Sequence, residues 1–573
     1  MRRLRLPVLG IALLLLATPA AAQAGDADLR FSDPGRTLSY GSPTQAHLVA
    51  EHLARLPADL RGYLEPSPTH PMYAGGVVLA ARRGVVAVHD AAGHAVRYAD
   101  ADTELPPEEQ VPARRDTIFD LASLTKMFTS IAVLQQVERG RIDLDAPVAS
   151  YLPAFAENGK EPVTVRHLLT HTGGLPAWAP LYSRYDTVED RLHAVLTVQP
   201  QAAPGAEYVY SDLGMITLGL LVEEVTDSSL DRVVAEHITE PLGMEDTMFN
   251  PPASVRSRIA ATEGEPWAGR PMIRGEVHDE NAWSLGGVAG HAGLFSTAHD
   301  LAVLAQTLLN GGGYGDVRIL QSDTVRAMLA NENAEFPGDS HGLGFELDQR
   351  WYMDALSSPV TFGHTGYTGT SLVVDPLSGS FVVLLTNRVH PTRDWGSNNP
   401  SRRAMARGLA RAIAVRPVEG RRAWFSGQGD DRAPTLTLPV SAESGGPVEV
   451  RFGLWYDTEA EHDVLTLEAS TDGGQAWRPV PFTLRDGDER SATDGAVSGF
   501  GGRRWHDATA VVHLPEDGGA QLRWRYANDG LYQGRGVYVD AVRVTGPTGL
   551  VFDDSRPGAM ERFVSRGWEP SRN

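Results

Sequence analysis

Ile118-Phe119-Asp120-Leu121-Ala122-Ser123-Leu124-Thr125-Lys126, continuing as Met127-Phe128-Thr129-Ser130-Ile131-Ala132-Val133-Leu134, is the stretch from which this chain is read. The apolar pattern predicts a helix from about Leu121 to Glu138, with Gly140 as its stop. Positions i and i+3 share a helix face, so the Ser123 hydroxyl and the Lys126 amine fall within hydrogen-bond reach. A serine hydroxyl is a weak nucleophile until a neighbouring base takes its proton, and a desolvated lysine can be that base or keep a second base anionic. The helix N-terminus also favours negative charge developing beside it.

Ser-x-x-Lys is common by chance, so its setting matters. Of 51 Lys plus Arg, only Lys126 and Lys160 are lysine. Arginine stays charged in proteins whereas a buried lysine can titrate, which draws attention to Lys126 in its apolar helix. Lys160, in Glu157-Asn158-Gly159-Lys160-Glu161-Pro162, reads as a solvated loop charge.

Outward from this helix, apolar side chains at helical spacing run from Ala46 to Leu64, and residues 75–89 read as two strands across an Arg-Arg-Gly turn. Residues 160–330 are mostly helices and loops. Strands return at Gly369–Asp375 and Gly379–Asn387, and a helix from Ser401 to Val415 follows. Strands at both ends with a helical middle predict one antiparallel sheet built from both termini, a helical subdomain beside it, and a cleft between them.

With 573 residues, two or more domains are expected. Beyond a linker at 418–434, short alternating runs such as Val448–Phe452, Leu465–Ala469, Gln521–Arg525 and Gly536–Asp540 predict an all-β sandwich or jelly roll over 435–573. The fold class is therefore α+β followed by all-β, with the first unit spanning 30–417. Residues 1–24 read as a secretory leader: Arg2, Arg3 and Arg5, the apolar run Leu6–Ala17, then a small-residue cleavage stretch. The expected mature protein is periplasmic or secreted. No later stretch is apolar for long enough to span a membrane. A net charge of −21 argues against nucleic acid or an anionic membrane surface as partner. The absence of cysteine excludes a thiol nucleophile, zinc–thiolate sites and iron–sulfur clusters.

Four ordered pieces make the chain resemble the serine β-lactamase-like hydrolases, which include penicillin-binding-protein-like D-Ala-D-Ala carboxypeptidases, D-aminopeptidases, β-lactamases and esterases. They are residues 118–126, Val165–Pro176 (with Leu168-Leu169-Thr170-His171-Thr172-Gly173-Gly174-Leu175), Pro204-Gly205 leading to Tyr210-Ser211-Asp212-Leu213-Gly214, and Gly363-His364-Thr365-Gly366-Tyr367-Thr368-Gly369. The resemblance runs from about Pro71 to Leu409. It implies that Ser123 attacks a carbonyl, that Lys126 and Tyr210 share the proton work, and that His364-Thr365-Gly366, a variant of Lys-Thr-Gly, flanks the substrate. The backbone N–H groups of Ser123 and Tyr367 would form the oxyanion hole, each donor lowering the barrier by ~3 kcal/mol. Asp212 stands where the family usually has Asn. An ionised Asp212 would hold Lys126 charged, leaving Tyr210 to act as a phenolate that Lys126 stabilises, and it removes an amide donor that commonly contacts an acylamino side chain. The implied substrates are D-amino-acid peptides, amides, esters or β-lactams, including peptidoglycan-like peptides. The alternatives are a carboxylesterase with the same residues and a non-catalytic envelope-binding protein working through the β-module.

The remaining features read more plainly. His278-Asp279-Glu280-Asn281 and Gly286–Thr297, with His291, form either a pocket wall or a hydrogen-bonded loop under the cleft. A metal set from His278, Asp279 and His291 lacks ligand spacing of the H-E-x-x-H kind, so no catalytic metal is expected. His171 is expected to shape a turn, and Trp178, Tyr182 and Tyr185 either to line a substrate groove or, as aromatics at such spacing more often do, to pack. In the β-module, Ser470-Thr471-Asp472-Gly473-Gly474-Gln475-Ala476-Trp477 resembles accessory modules of secreted hydrolases that bind glycans, protein partners or calcium. Asp472, Asp540, Asp553 and Asp554 are the oxygen ligands available for a structural calcium, though most aspartates at β-turns only cap them.

Overall fold

The computed structural model describes residues 29–441, 445–516 and 519–572; the expected leader, residues 1–24, lies outside them. The first sheet runs Ser39–Tyr40, Val85–Val96, Gly75–Arg82, Ser380–Thr386, Ser371–Asp375, Phe362–Thr365 and Glu346–Leu347, so its strands come from both ends of the unit as expected. Pairing is antiparallel except for Ser39–Tyr40 beside Val85–Val96.

Both central strands are buried on both faces, and the period of two divides their side chains between two cores. Val77, Leu79, Phe381 and Val383 face the helical middle of the chain. Val78, Ala80, Val382 and Leu384 pack with Leu53, Leu56, Met405 and Leu409 from the helices near the ends of the unit. The helix expected over 46–64 is broken into Ala50–Leu53 and Arg55–Gly62. The helix Thr125–Glu138 is buried almost all round, its polar Lys126, Thr129 and Gln135 bonding to protein groups as they are enclosed, and a short 3-10 turn, Ala122–Leu124, leads into it.

Lys160 is a correction. It is buried, and its ammonium donates to the carbonyls of Glu157 and Val198 at 2.8 and 2.7 Å. A lysine beside Gly159 and Glu161 looks solvated in sequence because the carbonyls that receive it are set by the fold.

The C-terminal unit is a sandwich of an eight-stranded and a six-stranded sheet. The alternation read from sequence holds: Leu436, Leu438 and Val440 point inward from Thr435–Ser441, and Leu522 and Trp524 from Gly519–Ala527. The expected linker 418–434 is not only a linker. Ala423–Phe425 pairs with Gly536–Gly546 and Glu569–Ser571, and so forms part of the larger sheet. Three residues are too few for a periodic signal.

Candidate active site

Local backbone geometry presents Ser123. Ala122 has φ 47, and its N–H donates to Asp120 Oδ1 at 2.8 Å. The other oxygen of Asp120 accepts the His278 N–H at 2.7 Å, so one buried carboxylate ties the Ser123 turn to the His278 loop. Burial pushes the Asp120 carboxyl up. The loop after the His364-Thr365-Gly366 strand is fixed to the same turn: Thr368 Oγ1 donates to the Asp120 carbonyl at 2.7 Å and Thr370 Oγ1 to the Leu121 carbonyl at 3.0 Å. A Cβ on Gly366 would stand 2.3 Å from the Leu121 carbonyl oxygen, so this approach needs glycine. The turns that carry the Ser123 and Tyr367 N–H groups are thus locked together.

Lys126, 1% exposed, is the centre of the polar cluster. Its Nζ donates to Ser123 Oγ at 2.8 Å and to the His291 carbonyl at 3.1 Å, and stands 2.8 Å from Asp212 Oδ1. It also lies 4.8 Å from the centre of the Tyr210 ring. Asp212 begins the helix Asp212–Thr226, whose first turn is capped by Ser211, and its N–H donates to the Ala177 carbonyl at 2.9 Å. The sequence-predicted Ser123, Lys126, Tyr210 and Asp212 therefore converge.

The expected resting phenolate of Tyr210 is corrected. Enclosure, and then the Asp212 carboxylate, push the phenol well above its ordinary value; a hydrogen bond with Ser123 opposes this only partly. His364 is buried, 6.0 Å from the Tyr210 ring centre, and directs Nδ1 to the Thr365 carbonyl at 2.8 Å. Burial and the Lys126 charge lower His364 to about 3, so a neutral imidazole stands where the usual motif has a lysine cation. The carbonyl takes the Nδ1 hydrogen, which leaves Nε2 bare.

Sequence reasoning missed a layer behind the cleft. His171, at φ 57, accepts the Ser211 N–H at Nδ1 (3.0 Å) and sets its ring 4.7 Å from that of Tyr210. It carries the Tyr210–Asp212 segment, and burial lowers it well below its ordinary value. Glu346, on the edge strand, is pushed up to about 7 by burial. No local signal marks Glu346; His171 stood inside a quoted motif and was expected only to shape a turn.

The His278 region is a wall of ion pairs. His278 Nε2 is 2.8 Å from Glu263 Oε2 and His291 Nε2 is 2.9 Å from Asp279 Oδ1. Ligand atoms of Glu263, Glu265 and His278 come within metal-binding distance of one another, but the Arg393 guanidinium already lies among them, 2.6 Å from Glu263 and 3.0 Å from Glu265. In the β-module the four aspartates considered for calcium act as caps: Asp472 accepts the Gln475 and Ala476 N–H groups, Asp540 those of Val418 and Glu419, Asp553 that of Ser555, and Asp554 that of Val542. The carboxylates that do converge there are Glu459, Asp463 and Asp529. Among the described residues no helix is long and apolar enough to cross a membrane.

Residues 60–407 match the family model described as beta-lactamase, and residues 397–572 the model described as the immune inhibitor A-like MAM domain. A protein of Escherichia coli K12 named "putative D-alanyl-D-alanine carboxypeptidase" is 38% identical over 343 residues, covering 54% of this chain and 77% of its own. One of the same name from Escherichia coli O157:H7 is 35% identical over 398 residues, 64% and 88% of the two chains. A penicillin-binding-protein homologue of Caulobacter crescentus, 22% identical, covers 63% of this chain and 97% of its own with a TM-score of 0.49.

Proposed function

Because the chain belongs to the β-lactamase family of penicillin-binding-protein-like serine hydrolases, we propose that it hydrolyses D-amino-acid peptides through a Ser123 acyl-enzyme. The observation that carries this reading is the buried Lys126 ammonium held between Ser123 Oγ and Asp212 Oδ1, both at 2.8 Å. Lys126 hands a proton to Asp212 and takes the one that Ser123 releases as its oxygen bonds the carbonyl carbon. The N–H groups of Ser123 and Tyr367 receive the oxyanion. Tyr210, protonated at rest, gives its proton to the departing amine as the C–N bond breaks, and the Lys126–Asp212 pair restores it. Water then repeats the sequence on the acyl-enzyme.

The name shared by the Escherichia coli relatives favours a D-alanyl-D-alanine peptide as substrate, released at its C-terminal residue. Asp212 lacks the amide donor of the usual asparagine, so β-lactams are expected to acylate slowly. The leader-like residues 1–24 support export, where such peptides are found. The test is turnover of a D-Ala-D-Ala peptide and labelling by a fluorescent penicillin, in parent and Ser123→Ala proteins. Both signals should vanish with Ser123; peptide turnover that survives in Ser123→Ala refutes the reading.

A further inference from the structure

Several enclosed arginines of this chain hold carboxylates: Arg393 and Arg503 each do so at 2.6 Å and Arg407 at 2.7 Å. Four others do not. Arg55 and Arg411, from the helices Arg55–Gly62 and Asn399–Ala412 of the hydrolase unit, and Arg432 and Arg535, from the C-terminal unit, line one cavity of about 440 Å³ where the two units meet. None of the four forms an ion pair with a carboxylate of the described residues. Most carboxylates whose fields reach Arg411 and Arg535 are engaged elsewhere, Asp354 by Arg407, and Asp375 and Asp457 by Arg503. Asp59 reaches Arg411 only through its field. The one carboxylate in the cavity wall is that of Glu569. His52, also in the wall, is lowered by burial and stays neutral at pH 7.

The fold holds these guanidiniums in place. Arg535, 7% exposed, donates to the Ile413 carbonyl and lies 5.0 Å from the centre of the Trp455 ring. Arg432 donates to the carbonyls of Gln428 and Gly567. Gly427 and Gly567, at φ 72 and 83, flank that guanidinium: a Cβ would stand 3.1 Å from Nη1 at the first and 2.9 Å from Nη2 at the second. Arg411 Nε is buried and bonds to nothing. Burial, and then the charge of Arg407, lower Arg411 to about 10, which still leaves it charged at neutral pH. A buried donor left unmet costs the desolvation of its group, and enclosed like charges repel. An anion in the cavity relieves both.

The surroundings select the ligand. Guanidinium forks match the paired oxygens of phosphate and carboxylate groups. Four of them against the single carboxylate of Glu569 leave three positive charges, which a ligand with about three negative charges balances. The volume is that of a small-molecule site and exceeds what one inorganic phosphate fills. A long polyanion is disfavoured, because the chain as a whole carries a net charge of −21. Arg55 and Glu569 are exposed, so the cavity opens to water on the side from which a small ion enters.

We propose that this cavity binds a small oxyanion carrying several negative charges, held by Arg55 and Arg411 of the hydrolase unit and by Arg432 and Arg535 of the sandwich, so that the ligand bridges the two units. The test titrates tripolyphosphate and citrate separately into the full chain by calorimetry, in physiological salt (~0.15 M). At least one should bind with a Kd of about 10 μM or tighter. Preference for tripolyphosphate identifies the recognised groups as phosphates, and preference for citrate as carboxylates. Arg55→Gln/Arg411→Gln should weaken binding by about tenfold or more. Arg478→Gln/Arg490→Gln, which changes two exposed arginines of the sandwich, the second on the strand at the opposite edge of its larger sheet from Glu569–Ser571, should leave binding unchanged. Scanning calorimetry without ligand shows that both variants are folded. Failure of both anions to bind overturns the site. So does binding that survives Arg55→Gln/Arg411→Gln, or that falls equally in the two variants, which marks general attraction to surface arginine.

Discussion

At the residue scale the decisive group is Lys126, because the proposed mechanism needs its amine to gain and lose a proton. Arginine keeps the charge and cannot do this, so Lys126→Arg should lower kcat by about 10² to 10⁴ with a folded protein by circular dichroism. Unchanged kcat would remove the need for a titratable amine. Glu346 makes a second prediction, about stability. Its carboxyl, raised to about 7 by burial, holds a proton that the unfolded chain releases near pH 4.5. The stabilisation it gives is full below pH 4.5 and is lost as pH rises to 7, so Glu346→Gln should gain on the parent protein by a few kcal/mol, in order of magnitude about 3, between pH 5 and 8. Urea unfolding at both pH values measures the difference. Ser123, Lys126, Tyr210, Asp212 and His364 could all be read from sequence because each stands in a short ordered motif. Glu346 could not, because beside the nearby Tyr352 its environment is assembled from Arg402 and Lys126, which are distant in the chain.

At the scale of elements, the site depends on two turns meeting: the one that delivers Ser123 and the one that follows His364-Thr365-Gly366. Gly366→Ala would set a methyl 2.3 Å from the Leu121 oxygen and 2.1 Å from Thr370 Oγ1, against one backbone and one pinned side-chain atom. The strand must retreat, moving the Tyr367 N–H off the position proposed for the oxyanion. Activity should fall about 10²-fold while binding of a substrate analogue changes less. Equal loss of both would mean that the strand end holds substrate rather than the oxyanion. The two turns could be read from sequence because short motifs mark them, Ser123-Leu124-Thr125-Lys126 at the one and His364-Thr365-Gly366 with Gly369 at the other. It did not supply their contact: Thr368 and Thr370 look like ordinary turn residues until the carbonyls of Asp120 and Leu121 are brought to them. The same limit explains the broken helix over 46–64 and the overlooked strand Ala423–Phe425.

At the scale of the whole molecule, the C-terminal sandwich is joined to the hydrolase unit more firmly than a tethered accessory module would be. Arg503, from the sandwich and 6% exposed, bonds Asp375 Oδ2 at the end of a hydrolase strand at 2.6 Å and Asp457 Oδ2 of its own unit at 2.9 Å. It also donates to the carbonyls of Leu356 and Ser357, both at 2.8 Å. Nearby, Val415, Ala423, Phe425, Trp455 and Tyr538 form a shared apolar cluster. Domains in one chain move freely unless their interface is large and apolar; here a fully enclosed cation is added to an apolar seam. Arg503→Ala leaves two carboxylates buried without their partner, a change that typically costs about 3–5 kcal/mol. Scanning calorimetry should show one cooperative transition in the parent protein. The variant should melt at lower temperature and resolve into two transitions, because the ion pair is the part of the seam that the apolar cluster cannot replace. Replacing the triad together, as Arg503→Met with Asp375→Asn and Asp457→Asn, removes the buried charge altogether and should restore much of the loss. If Arg503→Ala alone melts like the parent protein, water reaches the carboxylates, and the sandwich is then held by its apolar seam and free to part from the hydrolase on its own.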